Sequence, residues 1–83
     1  MDNIIKSILD ENKLTDIVPV LIFPTSENDR IKLLNQMKGN DEIVEFVQRA
    51  SADNLYYISS KKVAYLVDTR TRKLVLFEWP MPS

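Results

Sequence analysis

The sequence predicts an α+β fold of two layers, in which helices pack on a mixed or antiparallel sheet of three or four strands. Before residue 51, apolar residues recur at helical spacing in three segments. After residue 54, short runs rich in β-branched and aromatic residues alternate with polar turns. The 83 residues suffice for one hydrophobic core, and no linker divides them, so we expect a single domain over residues 1–83.

The first helix and the first strand are predicted before residue 24. Four apolar residues share one helical face: Ile4, Ile5, Ile8 and Leu9. This helix should end near Asn12. Residues 17–23 are too short for a helix and are rich in β-branched residues, so they predict a strand. Pro19 removes one ladder donor, which places the strand at a sheet edge or confines its pairing to its later half.

Two further helices are predicted between this strand and the meander. The hydroxyl residues Thr25 and Ser26 and the acidic residues after them are typical of a helix N-terminus, and this second helix should end at Gly39 in a left-handed cap. Asn40 opens the third helix. Its apolar residues recur at i, i+3, i+4 and i+7: Ile43, Phe46, Val47 and Ala50. We expect two or three helices to pack mainly on one face of the sheet.

The last third of the chain predicts a three-stranded antiparallel meander over residues 55–59, 62–68 and 73–79. The apolar residues of its last two strands do not alternate with polar ones, so both faces of the sheet should be at least partly covered. Either the first helix covers the second face, or that face or the last edge strand binds a protein partner. The candidate partner-binding residues are aromatic: Tyr57, Tyr65, Phe77 and Trp79.

The composition excludes several kinds of chemistry. The chain has no histidine and no cysteine, so histidine-based catalysis and a thiolate zinc site are impossible. One glycine is too few for a phosphate-binding loop. We therefore predict a protein that is not an enzyme and that uses no cofactor and no metal.

Basic residues cluster at the two predicted hairpin turns and are the candidate phosphate contacts: Lys61, Lys62, Arg70, Arg72 and Lys73. Consecutive turns of a meander lie at opposite ends of the sheet, so these residues should form two small clusters. The order of elements resembles the layout of small ribosome-dependent mRNA-cleaving toxins of toxin–antitoxin systems. Those toxins are typically basic, whereas this chain has a net charge of −1, and no functional residue is carried over.

Two functions follow as expectations. The first is a small protein-binding module, such as an inhibitor, adaptor or antitoxin-like protein of a bacterium or phage, which could also form a homodimer through its sheet. The alternative is an RNA-directed protein, either a binder or a metal-independent nuclease, that uses Lys, Arg and Tyr of the C-terminal hairpins. Nucleic acid is the less favoured partner. The absence of cysteine and of any long apolar run favours the cytoplasm over a membrane or an oxidising compartment.

Overall fold

The computed structural model describes residues 2–78, with the backbone alone for Asp2 and Asn3. Helix α1 spans Asp2–Glu11 and is followed by strand β1, Leu21–Pro24. Helices α2, Glu27–Gln36, and α3, Asp41–Arg49, come next. Strands β2, Leu55–Ser59, β3, Ala64–Asp68, and β4, Lys73–Leu76, complete the described chain. No helix within these residues is long and apolar enough to cross a membrane.

The four strands form one antiparallel sheet in the order β1-β2-β3-β4. The predicted meander is therefore confirmed, and β1 lies at an edge of the sheet beside β2. Register is set by pairs such as Phe23 with Tyr57 and Leu66 with Val75. The first strand starts at Leu21, later than the predicted residue 17, so its pairing is confined to the later half of that segment.

The first face of the sheet packs against α2 and α3. Its buried cluster joins three helical residues, Leu33, Ile43 and Val47, to sheet residues of which Leu55 and Leu66 are fully buried. The spacing of Ile43 and Val47 places both on the side of α3 that faces the sheet. These contacts explain why the β-rich runs are apolar at the positions that point toward the helix pair.

The second face of the sheet packs against α1. Ile5, Ile8 and Leu9 are almost fully buried there, in contact with a cluster that includes Ile58 and Val67. The α+β class is confirmed, and two of the three helices lie on one face as expected. Helix α1 adds a third layer on the opposite face, which accounts for apolar residues on both sides of each strand.

Local polar contacts fix the ends of the helices. Ser26 caps α2 in a capping box, in which Asp29 N–H donates to the Ser26 hydroxyl and Ser26 N–H donates to the Asp29 carboxylate. The backbone hydrogen bond from Ser26 lowers the pKa of Asp29. Asn40 caps α3 as predicted.

The Arg30 guanidinium of α2 donates to the Val47 and Ala50 carbonyls at the end of α3, at 3.2 and 3.0 Å.

Among residues 2–78, left-handed backbone occurs at two residues, and neither is Gly39, where the sequence predicted it. Gly39, the one glycine of the sequence, has no positive φ, and α2 ends at Gln36 with Met37 as its C-cap. The left-handed positions are Lys13, at φ 63°, and Arg72, at φ 60°. Lys13 follows α1. There Leu14 N–H donates to the Leu9 carbonyl at 2.8 Å, which is the 6→1 hydrogen bond of a Schellman motif. The prediction of a left-handed glycine cap at Gly39 was therefore wrong, because α2 ends before Gly39 and its C-cap residue, Met37, has a φ of −104°.

Candidate functional site

The aromatic residues predicted to bind a partner do not form one surface. Phe77 is 4% exposed and belongs to the core of the first face. Tyr57 lies on that same face, whereas Tyr65 lies on the second face against the α1 cluster. Trp79 lies outside the described residues. Tyr57 and Tyr65 thus point to opposite sides of the sheet, where each packs at the margin of a core.

Tyr57 connects the edge of the sheet to its core through ring contacts. Its ring centroid lies 5.2 Å from that of Phe23 on β1, with the two planes inclined at 43°. The Phe77 ring meets Tyr57 edge-on, at 6.3 Å between centroids. Such tilted and edge-on pairs are favoured by the charge distribution of aromatic rings. This aromatic group holds β1 against the meander, so a structural role explains the position of Tyr57.

Arg72 is bound within the protein instead of being presented to solvent. Its guanidinium donates one Nε–H, shared between both oxygens of the Glu11 carboxylate, and one Nη2–H to Glu11 Oε2, at 2.7 to 3.0 Å. A further bond reaches the Ser7 hydroxyl at 2.6 Å. These bonds lower the pKa of Glu11 and raise the pKa of Arg72. Arg72 therefore ties the β3–β4 turn to α1.

Arg70 points in another direction from the same turn. Its Nη2 donates to the Arg49 carbonyl at the C-terminus of α3, at 3.2 Å, where a cation is favoured by the helix dipole. Arg70 thus reaches toward α3 and Arg72 toward α1, on opposite faces of the sheet. The RNA-directed alternative requires Arg70, Arg72 and Lys73 to lie beside a tyrosine in one concave site. The dispersal of Arg70 and Arg72 counts against that alternative.

Lys61 and Lys62 form the tip of the β2–β3 turn at the opposite end of the sheet. Ser60 N–H donates to the Val63 carbonyl at 2.8 Å and closes a two-residue loop. The Ser60 hydroxyl accepts from the Lys62 and Val63 amides, which supports the turn without glycine or asparagine. Both lysine side chains are exposed. Unlike Arg70 and Arg72, they have no described hydrogen bond or ion pair from their ammonium groups.

Beside this turn lies the best candidate site, which we call the corner surface. It is a cleft of about 350 Å³ lined by Asp16, Ile17, Val18, Val20, Ser60, Lys61 and Lys62. Val18 is 72% exposed and Val20 is 67% exposed, and the adjoining Leu21 is 48% exposed. Half of the large apolar side chains that are exposed among the described residues therefore lie within four consecutive positions. Such clustering is unusual for solvated apolar residues, which normally occur singly.

The local backbone explains why these apolar side chains stay exposed. Val20 N–H donates to the Ser59 carbonyl at 2.7 Å, which holds the chain beside the end of β2. Pro19 cannot donate to a ladder, so the segment before Val20 does not extend β1 into the sheet. A second cleft, lined partly by Leu21, Tyr57 and Ala64, lies on the other side of the β2–β3 turn and shares Lys61 and Lys62 with the first. The turn is thus flanked by concave surface on both sides.

The corner surface was not identified from the sequence, although its two lysines were. Val18 and Val20 lie in a segment that predicted a strand, and strand residues are expected to pack. The sequence feature that indicates this surface is the length of the apolar run before Pro24. The run has more apolar residues than a strand shortened by Pro19 can place in the sheet. That excess left apolar residues without a place in the sheet, and these are the residues exposed at the corner.

No group of three or more Asp or Glu side chains within the described part of the chain is placed to hold a metal ion. Comparison with protein-family models, with curated proteins and with solved structures found no match to this chain. A functional proposal therefore depends on the chemistry of the corner surface itself.

Proposed function

We propose that this protein is a small non-catalytic protein-binding module that binds its partner at the corner surface. The observation that carries the proposal is the exposure of Val18, Val20 and Leu21 beside a cleft and two lysines whose ammonium groups have no partner among residues 2–78. Apolar residues placed together on a surface and bordered by charged ones are typical of protein interaction sites. Inhibitors, adaptors and antitoxin-like proteins of bacteria or phages act through surfaces of this kind. The cysteine-free composition suits a cytoplasmic location.

The chemistry of the corner surface favours a partner segment with an apolar side chain beside a carboxylate. Val18 and Val20 offer apolar contact, and Lys61 and Lys62 outnumber the single acid of the cleft, Asp16. An apolar group would gain from leaving water, and the lysines would steer and orient an acidic neighbour. A nucleic acid would need more phosphate contacts than two lysines supply for tight binding at physiological salt.

The proposal is tested by affinity capture from cells with matched variants of the full chain. Val18→Ser/Val20→Ser removes the apolar contacts, and Lys61→Glu/Lys62→Glu reverses the charge. Ile31→Ser controls for the loss of an exposed apolar residue on α2. Lys32→Glu/Lys38→Glu controls for the change in net charge. Each capture is performed with and without nuclease treatment before elution.

We expect one protein to be captured in near-stoichiometric amount by the wild type and by both control variants. Its affinity for each corner variant, measured with the purified proteins, should fall at least about tenfold, which corresponds to about 1.4 kcal/mol of binding free energy. Equal binding by corner and control variants would place the interface elsewhere. Capture that nuclease abolishes would favour the RNA-directed alternative.

A further inference from the structure

The strand at the opposite edge of the sheet, β4, has a different character from β1. It is the terminal strand of the described sheet, and its only neighbour there is β3. Leu76 on this strand is 62% exposed, while Val75 beside it is buried in the core of the first face. An exposed leucine on an edge strand is a feature that natural proteins usually avoid, because it invites pairing with another strand.

The hydrogen-bond pattern shows which backbone groups of β4 point away from β3. Phe77 N–H donates to the Ala64 carbonyl at 2.9 Å, so residue 77 is a hydrogen-bonded position of the ladder. Because such positions alternate along an antiparallel pair, Val75 and Lys73 also bond to β3. The N–H and C=O groups of Leu74 and Leu76 therefore point outward, and each of these two residues offers one donor and one acceptor at the edge.

The edge of β1 is much less able to accept another strand. Thr25 N–H donates to the Leu55 carbonyl, so the alternation leaves Ile22 and Pro24 pointing outward. Pro24 has no N–H, and the N–H of Val20 already bonds to Ser59. Ile22 is therefore the one strand residue that offers a donor on this side. Proline at an edge strand is a common means of preventing strand addition.

We propose that two copies of this chain associate by antiparallel pairing of their β4 strands about a twofold axis at Val75. In this register Leu74 of one copy lies opposite Leu76 of the second copy, and the reverse pair follows by symmetry. Each pair exchanges both backbone hydrogen bonds, so every outward group of Leu74 and Leu76 is used. The arrangement is self-complementary, as a twofold interface requires. It would join the two sheets into one.

The side chains of β4 also favour a second copy of this chain as the partner at this edge. Leu74 and Leu76 lie on the second face of the sheet, so pairing brings the leucines of both copies together and removes the exposed Leu76 from water. A second copy therefore fits this edge in both its backbone groups and its apolar side chains.

The oligomeric state of the full chain tests this proposal. Molar mass is measured by size-exclusion chromatography with light scattering between about 1 μM and about 1 mM, a range that populates weak and moderate association. We expect the wild type to reach twice the mass of one chain as concentration rises. Leu76→Lys should weaken the dimer at least about tenfold. Val20→Lys, which adds the same charge at a similarly exposed residue of the other edge, should leave it unchanged.

A second variant separates pairing from folding. Leu76→Pro removes an outward N–H and no donor to β3, so the chain should keep its circular dichroism spectrum and lose the dimer. A wild type that stays monomeric throughout, or a dimer that survives Leu76→Lys and Leu76→Pro, would overturn the proposal. These outcomes are separate from partner capture at the corner surface, which lies at the other edge of the sheet.

Crosslinking tests the register. The chain has no cysteine, so Val75→Cys introduces one thiol on the proposed axis, where the two residues face each other at a non-hydrogen-bonded pair. Oxidation should give a disulfide-linked dimer with Val75→Cys and none with Ile22→Cys at the centre of β1. Crosslinking through Ile22→Cys alone would contradict pairing through β4.

Discussion

At the scale of single residues, two non-glycine residues of the described chain adopt a backbone conformation that glycine usually takes. Lys13 and Arg72 both have positive φ, and both sit where the chain turns sharply. Arg72 contributes the hydrogen bonds to Glu11 and Ser7 from this position. Lys13 is exposed and has no described side-chain bond. The left-handed conformation at residue 13 is therefore held by the backbone hydrogen bonds at the end of α1 and has no described support from the lysine side chain.

Replacing Lys13 by glycine should stabilise the protein. A residue with a Cβ is destabilised by roughly 1 to 2 kcal/mol in the left-handed region, and glycine removes this cost. Part of the resulting gain is lost because glycine has more conformational freedom in the unfolded chain. We expect Lys13→Gly to raise the free energy of unfolding by about 1 kcal/mol, measured by urea denaturation. Lys13→Ala controls for loss of the side chain and should bring no such gain.

The Glu11–Arg72 pair should make stability depend on pH in a definite direction. Hydrogen bonds from Arg72 hold the pKa of Glu11 below its ordinary value in the folded chain. A carboxylate with a lowered pKa stabilises the fold above its unfolded pKa, and this stabilisation is lost as pH falls through the folded pKa. The wild type should therefore be more stable than Glu11→Gln at neutral pH, and the difference should disappear in acid.

Chemical denaturation at several pH values measures this effect. Asp53→Asn, at an exposed loop carboxylate, is the control and should show no comparable convergence with the wild type. A difference between Glu11→Gln and the wild type that stayed constant from neutral to acid pH would assign the effect to packing instead of charge.

At the scale of elements, α1 completes the core of the second face. Ile8 is fully buried against the sheet, while Ile4 on the same helix is 50% exposed. We expect Ile8→Ala to cost about 2 to 5 kcal/mol in unfolding free energy, because it removes buried methyl groups and leaves a cavity. Ile4→Ala should change it by less than about 0.5 kcal/mol. Thermal and urea unfolding compare the two, and equal losses would mean that α1 is not packed in this orientation.

The elements were largely predictable because their signals are local. Helical spacing around Ile43 and Val47, the Ser26 and Asn40 caps, and the β-rich runs after residue 54 all report on neighbours within one turn or strand. The exact turns were not predictable. Ser60 and Asp68 support the two hairpins through their side chains, and Arg72 takes the left-handed position. Serine and aspartate are common in turns, but an arginine in the left-handed region is rare and has no local signal in the sequence.

At the scale of the whole molecule, the candidate site could not be predicted from the sequence, because it depends on how distant segments of the chain pack together. The two apolar faces of the sheet were recognisable, but their coverage by α1 on one side and by α2 and α3 on the other depends on the path of the chain. That coverage places Phe77 in the core and keeps Tyr57 and Tyr65 apart. It leaves the sheet edges and the β2–β3 turn as the places where Val18, Val20 and Leu76 remain exposed.

The position of β1 has a consequence for how the molecule folds. The meander joins neighbours in sequence, so each of its pairings closes only a short loop. In contrast, Thr25 and Leu55 meet across 30 residues that include both α2 and α3. Closing a longer loop costs more conformational entropy before any contact repays it. We therefore expect the meander to assemble early and β1 to dock last, so the edge that carries the corner surface would also be the first part of the sheet to open.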